Sequence, residues 1–209
     1  MRTCGILPRP SKQKPSRAAA AWLRLVAVCI GFSLLAGSAR TAASPTSASR
    51  VLVIAPHPDD ETLGAGGLIY SACQRGARVK TVFMTMGDGY AAAAGMLCRV
   101  ARPSPDDFVA LGRRRQGEAI AALAALGVAG EDAVFLGCPD GGLADIVDSR
   151  HWGPDEPYTS KRTGHASNSY ASTLTPDAEY CASRIVSDLG MILVDYMPDL
   201  VLVPHPSAT

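Results

Sequence analysis

Acidic side chains are absent from the first fifty residues of this 209-residue chain, although that stretch holds eight of the 20 Lys and Arg residues. Residues 51–209 consequently carry 12 basic and all 19 acidic side chains, a net formal charge of −7. An acidic body argues against a nucleic-acid partner, because such proteins need basic surfaces to neutralise phosphates. With 47% hydrophobic and 19% charged residues, the composition also excludes an intrinsically disordered chain.

A long apolar run is missing as well, which bears on the amino-terminal segment. After Arg24 its apolar core spans 25–36, only 12 residues, whereas about 20 are needed to cross a bilayer. The basic stretch before this core and the small residues after it indicate an export signal over residues 1–43. The alternative is an uncleaved membrane anchor beginning near Ala18, which would associate the protein with a membrane. Both readings predict an extracytoplasmic domain (secreted, periplasmic or anchored facing outward) behind a Ser- and Ala-rich linker at residues 44–50.

Cysteine pairs with metal-binding spacing are also lacking. The cysteines beyond the leader are Cys73, Cys98, Cys138 and Cys181, and no two of them form a C-x-x-C motif. A zinc site built from thiolates is therefore not expected. Disulfides and free thiols are both compatible with an oxidising compartment.

From residue 50 onward, short apolar runs alternate with helical stretches. Strands are predicted at 51–55, 79–86, 133–136 and 200–203, and helices at 61–75, 105–126 and 175–196, with a long polar loop at 137–175. This order predicts an α/β fold, a Rossmann-like three-layer α/β/α architecture with a mainly parallel sheet. The first and fourth strands should be neighbours, with a ligand crevice at their carboxyl ends. Because the chain stops six residues after the last strand, we expect the carboxy-terminal part of the fold to be missing.

The segment Ala55-Pro56-His57-Pro58-Asp59-Asp60-Glu61 is the most informative in the chain. It sets an imidazole and three carboxylates on a predicted strand-to-helix turn. Imidazole and carboxylate are suited to zinc with an open coordination position, and a carboxylate that does not bind the ion can serve as a base for water. Asp59 and Asp60 are adjacent, so their side chains should point in different directions and divide these two roles.

Two other interpretations of this region are open. The acidic residues of the turn could simply cap the following helix, since Asp and Glu are favoured in a first turn. The run Gly64-Ala65-Gly66-Gly67 could belong to a nucleotide-dependent oxidoreductase. That run lies inside the predicted helix, however, and lacks the full dinucleotide fingerprint.

The string PHPDDE after VLVIA, followed by TLGAGG, resembles the signature of the PIG-L (LmbE-like) family of zinc-dependent N-acetylglucosaminyl deacetylases. Three further segments resemble that family in the same order: MTMGDGY (84–90), RRRQGEAIAALAALGV (113–128) and FLGCPDGGL (135–143). The resemblance covers residues 51–205. It implies a zinc-dependent hydrolase that removes an acetyl group from an N-acetylglucosamine-type sugar or conjugate.

The resemblance also implies residue roles. It matches His57 and Asp60 to zinc ligands and Asp59 to the general base, with Glu61 supporting the site from behind. Arg115, in an R-x-x-E helix with Glu118, and Asp140, in a PDGG turn, match residues that bind the substrate. Arg115 could instead lie on a solvated helix face, and Asp140 could merely hold its turn. Asp88 between two glycines is expected to shape a loop.

The sequence departs from the family at its end. The family takes a third zinc ligand from an H-x-D-H motif after the fourth strand, and this chain has only His205 there. We expect His205 to be a neighbour of the metal site, and His151 and His165 to face substrate or solvent. These observations predict an incomplete deacetylase domain at 51–209, the amino-terminal part of a longer enzyme. The alternative is a catalytically inactive sugar-binding module of the same fold.

Overall fold

The computed structural model describes residues 45–148 and 151–204. Within them, one sheet of four parallel strands has the order β3-β2-β1-β4. The strands are β1 (Arg50–Ala55), β2 (Arg78–Thr85), β3 (Ala133–Cys138) and β4 (Leu200–Leu202). The predicted α/β fold with a parallel sheet is confirmed, and β1 and β4 are neighbours, with Val51 opposite Leu200. The carboxyl ends of the central strands therefore meet at one edge of the sheet.

Helices cover the sheet on both faces. They are α1 (Asp60–Gln74), α2 (Ala91–Cys98), α3 (Pro105–Ala125), α4 (Leu143–Asp148) and α5 (Ala182–Tyr196), with a short 3-10 turn at Gly130–Asp132. Helix α3 begins with a capping box, in which the Ser104 hydroxyl accepts from Asp107 N–H and the Asp107 carboxylate accepts from Ser104 N–H. None of these helices is long and apolar enough to cross a membrane.

The strands bury both faces, which gives two hydrophobic cores. Side chains alternate along a strand, so Val51 and Val53 of β1 face the layer that contains α1 and α3, whereas Leu52 faces the layer of α5. Ile69 and Leu123 fill the first core and lie almost entirely out of solvent. A strand buried on both faces reads as a continuous apolar run, which is why β1 is evident from sequence.

The last helix begins later than predicted. The Thr175-Pro176-Asp177 start signal is wrong, because α5 begins at Ala182. Asp177 has a left-handed φ of 60°, and Tyr180 exchanges backbone hydrogen bonds with residues of the preceding loop, accepting from Tyr158 N–H and donating to Ala166. These bonds tie the backbone at Tyr180 to the preceding loop rather than to a helix.

Two short helices, α2 and α4, were not predicted from sequence. Other boundaries differ from prediction by one or two residues; β1, for example, begins at Arg50. The four cysteines outside the leader are free thiols. The leader prediction for residues 1–43 lies outside the described residues.

Candidate active site

The turn between β1 and α1 carries the predicted metal ligands, and the structure brings them together. His57 Nδ1 lies 3.1 Å from Asp60 Oδ2, and the backbone N–H of His57 donates to the same oxygen over 3.0 Å. The Asp60 side chain is thus turned back towards His57. The N-cap residue Asp59 makes no side-chain cap hydrogen bond, so helix capping does not account for Asp59 or Asp60.

Asp59 points away from Asp60 and is held in a strained backbone conformation. Its φ is 128°, which is uncommon for a residue with a Cβ and costs about 1–3 kcal/mol. Arg115 on α3 secures this conformation, since its guanidinium donates to Asp59 Oδ2 over 2.8 Å and to the carbonyl of Pro58. Burial raises the pKa of Asp59 above its ordinary value, although the charge of Arg115 acts in the opposite direction.

Glu61 supports the turn from beneath. Its side chain is 1% exposed, and its Oε2 accepts the backbone N–H of Asp59 over 2.9 Å. The other carboxylate oxygen accepts from the Thr62 hydroxyl over 2.7 Å. The buried carboxylate therefore fixes the backbone of Asp59.

Arg115 faces the site, unlike the two arginines before it. Arg113 and Arg114 are exposed, and Arg114 pairs with Glu118 one turn further along α3. The Arg115 side chain is 21% exposed and also donates to the carbonyl of Gly87 over 3.0 Å, at the end of β2. The solvated-face alternative therefore does not describe this residue.

Asp140 follows β3 and reaches the opposite side of the His57 ring. Its Oδ1 lies 3.1 Å from His57 Nε2, and its Oδ2 accepts the backbone N–H of Gly89 over 2.9 Å. The hydrogen bond to Asp140 raises the pKa of His57 above its ordinary value, although burial opposes this shift. Burial alone would raise the pKa of Asp140, but its bond to His57, together with the charge there, lowers it.

Asp88, which the sequence predicts only to shape a loop, contacts the backbone of Asp140. Asp88 is 3% exposed, accepts the Tyr170 hydroxyl at Oδ2 over 2.6 Å and receives the Asp140 N–H at Oδ1 over 3.4 Å. Burial raises the pKa of Asp88, and the bond from Tyr170 opposes that shift. The role of Tyr170 was missed because it lies 82 residues further along the chain, in the long polar loop.

Two cavities meet at His57. One, of about 410 Å³, has Asp59, Tyr90, Arg115 and Glu118 among its lining residues. The other, of about 800 Å³, lies between α1 and the end of β4 and is mostly apolar, with Leu68 and Leu202 in its wall. No sequence pattern indicates that Tyr90, which follows the Gly-Asp-Gly segment after β2, lines a cavity.

A comparison with models of protein families identifies the family to which this chain belongs. The model of the PIG-L family, described as GlcNAc-PI de-N-acetylase, matches residues 52–209. The chain belongs to the PIG-L family. The resemblance expected from the PHPDDE string and the three later segments is thereby confirmed.

Three curated relatives of this PIG-L chain are named 1D-myo-inositol 2-acetamido-2-deoxy-alpha-D-glucopyranoside deacetylase. The protein from Mycobacterium sp. (strain KMS) is 41% identical over 106 residues, which is 49% of this chain and 32% of the relative. The Streptomyces griseus protein is 30% identical over 152 residues, 73% of this chain and 43% of the relative. The Streptomyces avermitilis protein is 31% identical over 150 residues, 72% and 46% respectively. The chain thus spans less than half the length of these relatives.

Two further histidines of this PIG-L chain, His151 and His165, lie away from the His57 site. His151 Nδ1 is bonded to the carbonyl of Glu156 over 2.7 Å, and its ring meets Tyr158 edge-on. His165 is exposed and bonded to the Ser169 hydroxyl. Neither lines the cavities at His57. The predicted metal-site neighbour, His205, lies outside the described residues.

Proposed function

We propose that this protein is a zinc-dependent N-deacetylase that removes an acetyl group from an N-acetylglucosamine-type sugar or conjugate. The observation that carries the proposal is that the adjacent residues Asp59 and Asp60, on the turn after β1, contact different partners. His57 and Asp60 face each other at 3.1 Å, while Asp59 turns to the 410 Å³ cavity. The PIG-L membership and the deacetylase activity for which the curated relatives are named support the same chemistry.

The donor pair fits a zinc ion. Two ligand atoms bound tetrahedrally at about 2.0 Å lie about 3.3 Å apart, close to the separation of His57 Nδ1 and Asp60 Oδ2. Across residues 45–148 and 151–204, no three His, Cys, Asp or Glu side chains gather to hold a metal. Asp140 contacts Nε2 of His57, whereas Asp60 contacts Nδ1. A catalytic zinc takes three protein ligands, so we propose a further one outside these residues, beside or at His205. When bound, zinc supplies a Lewis acid that polarises an amide carbonyl and acidifies water.

The smaller cavity suits a sugar. Tyr90 lies in the wall of this cavity, is 63% exposed and offers an aromatic face. In the same wall, Arg115 offers a hydrogen-bond donor and Glu118 an acceptor. Asp59 lies in the same cavity, so a sugar bound there would bring an acetamido group to the proposed base. The curated relatives are named for a substrate of this class, an acetamido glucopyranoside of inositol.

Asp59 would act as the general base. Its carboxylate accepts a proton as a water oxygen attacks the amide carbon, and the same proton is then available to the sugar nitrogen when the C–N bond breaks. Acetate and a free amine leave, so the overall reaction is amide hydrolysis. Arg115 fixes the orientation of this carboxylate at 2.8 Å, and the raised pKa of Asp59 makes it a stronger base than an aspartate with an ordinary pKa.

Two substitutions test the proposal in the full chain. Asp59→Asn should abolish acetate release from 1D-myo-inositol 2-acetamido-2-deoxy-α-D-glucopyranoside while retaining zinc, because it removes only the base. Asp60→Ala should lose both zinc and activity. The matched control is Asp155→Asn, which makes the same change from carboxylate to carboxamide at an exposed residue outside the site. This variant should behave as the parent. Elemental analysis and acetate release are measured on each protein.

An Asp59→Asn variant that hydrolyses at the parent rate would overturn the role of Asp59. The second candidate, a sugar-binding module without activity, is favoured by the presence of only two suitable ligands among the described residues. A parent protein that binds the sugar but holds no zinc would support that module instead.

The leader sequence supports an extracytoplasmic location, which we also propose. Mass spectrometry of the amino terminus of the mature protein, together with cell fractionation, tests it. A cytoplasmic product with an intact amino terminus would contradict it.

A further inference from the structure

His57 is contacted at both ring nitrogens by carboxylates. Nδ1 faces Asp60 Oδ2 and Nε2 faces Asp140 Oδ1, each at 3.1 Å. A neutral imidazole has a single N–H, so it can donate to only one of the two. Which carboxylate takes that proton decides which nitrogen keeps a lone pair.

Asp140 is the better placed acceptor. Its side chain is 17% exposed, against 38% for Asp60, so it depends more on protein partners than on water. Asp60 Oδ2 already accepts the backbone N–H of His57. A proton on Nε2 therefore satisfies the more buried carboxylate and leaves the Nδ1 lone pair facing Asp60.

Asp140 is itself held from two directions. Gly89 N–H donates to its Oδ2, and the approach is so close that a Cβ at Gly89 would lie 2.8 Å from that oxygen. The Asp140 N–H reaches Asp88, whose other oxygen accepts the buried hydroxyl of Tyr170. A continuous chain of contacts thus runs from the long polar loop to the ring of His57.

We infer that Asp140 is a positioning residue for His57: it accepts the Nε2 proton and so keeps the Nδ1 lone pair directed to the metal side of the ring. This inference rests on the proposed function, because the positioned Nδ1 lone pair would serve the proposed zinc. It differs from the role implied by the family resemblance, in which Asp140 accepts a substrate hydroxyl. Histidines that bind metals commonly donate their second N–H to a carboxylate, and removal of that partner lowers metal affinity about 10–100-fold.

The first test needs neither metal nor substrate. In the metal-free full chain with ¹⁵N-labelled histidine, the four histidines give few signals, and that of His57 is assigned by its loss in His57→Gln. At a pH where the ring is neutral, the parent should carry its proton on Nε2. Asp140→Leu should shift the proton to Nδ1, where Asp60 is the remaining acceptor. A parent ring protonated on Nδ1 would overturn the inference.

The second test measures zinc affinity by competition with a chelator. Asp140→Leu should bind zinc about 10–100-fold more weakly. Asp140→Asn retains an oxygen acceptor and should stay closer to the parent, which also covers the case in which the leucine variant does not fold. Asp145→Asn, an exposed position on α4, is the control and should leave affinity unchanged.

The outcomes separate the two proposals. A parent that binds no zinc defeats the proposed function, while the tautomer measurement still decides the placement of the His57 proton. Parent-like zinc affinity in Asp140→Leu, together with a raised KM, would favour the substrate-hydroxyl role and refute positioning.

Discussion

Gly112 on α3 packs against the ring of Tyr170, whose hydroxyl donates a hydrogen bond to Asp88 next to the site. A Cβ built at this position would lie 2.3 Å from the Tyr170 hydroxyl oxygen and 2.8 Å from its Cζ. Ordinary contacts between such atoms are about 3.5 Å, so Gly112→Ala forces the ring to move by about 1 Å. That movement breaks the 2.6 Å hydrogen bond from Tyr170 to Asp88.

The size of the effect follows from three contributions. Overpacking costs about 1–3 kcal/mol, and loss of a hydrogen bond to a charged group costs about 1.5–3 kcal/mol. Alanine in a helix interior returns about 1 kcal/mol relative to glycine. Gly112→Ala should therefore lower the free energy of unfolding by about 1.5–5 kcal/mol.

Gly117, five residues further along α3, is a matched control. It is exposed, and a Cβ there meets nothing within 4 Å. Gly117→Ala should therefore raise the free energy of unfolding by about 1 kcal/mol. Urea unfolding followed by circular dichroism measures both variants. Equal midpoints for the two would refute the close packing of Tyr170 against α3.

Three further predictions concern the scaffold. Ser104→Ala removes the cap of α3 and should cost about 1 kcal/mol in thermal unfolding, with no change expected if the capping box does not form. Leu123→Ala leaves a void in the core of α1 and α3 and should cost about 2–5 kcal/mol in urea, and a loss below 1 kcal/mol would contradict its burial. Burial raises the pKa of Tyr196 from 10.0 to about 12, so the native state holds this proton more tightly than the unfolded chain does. Stability should therefore fall as the pH rises between these values, and the fall should be shallower in Tyr196→Phe.

The elements that could be predicted from sequence are those with a strong local pattern. Strand β1 is a run of apolar residues, and the start of α3 has a serine cap followed by proline. Helix α2 escaped prediction because its AAAAGMLC sequence has no polar face and only Ala94 is buried. The start of α5 was misplaced because long-range backbone pairing at Tyr180 outweighs the local signal of Pro176.

In the candidate site, too, local patterns could be predicted from sequence and long-range contacts could not. The PHPDDE string could be read directly, because its residues are consecutive and need only one turn to bring them together. Sequence alone could not decide whether Arg115 faces solvent or the site, since successive helix residues differ by about 100° in direction. The contact between His57 and Asp140 joins residues 83 positions apart, and no local pattern encodes it.

Asp59 illustrates why the motif alone does not make the site. Its backbone conformation costs about 1–3 kcal/mol, so a free peptide of the same sequence would rarely adopt it. In the folded protein, Glu61 holds its N–H and Arg115 holds both its carboxylate and the preceding carbonyl. Arg115 in turn is fixed by Gly87 at the end of β2. The orientation of the proposed base therefore depends on α3 and β2 as much as on its own turn, and it exists only when the sheet and helix layers have assembled.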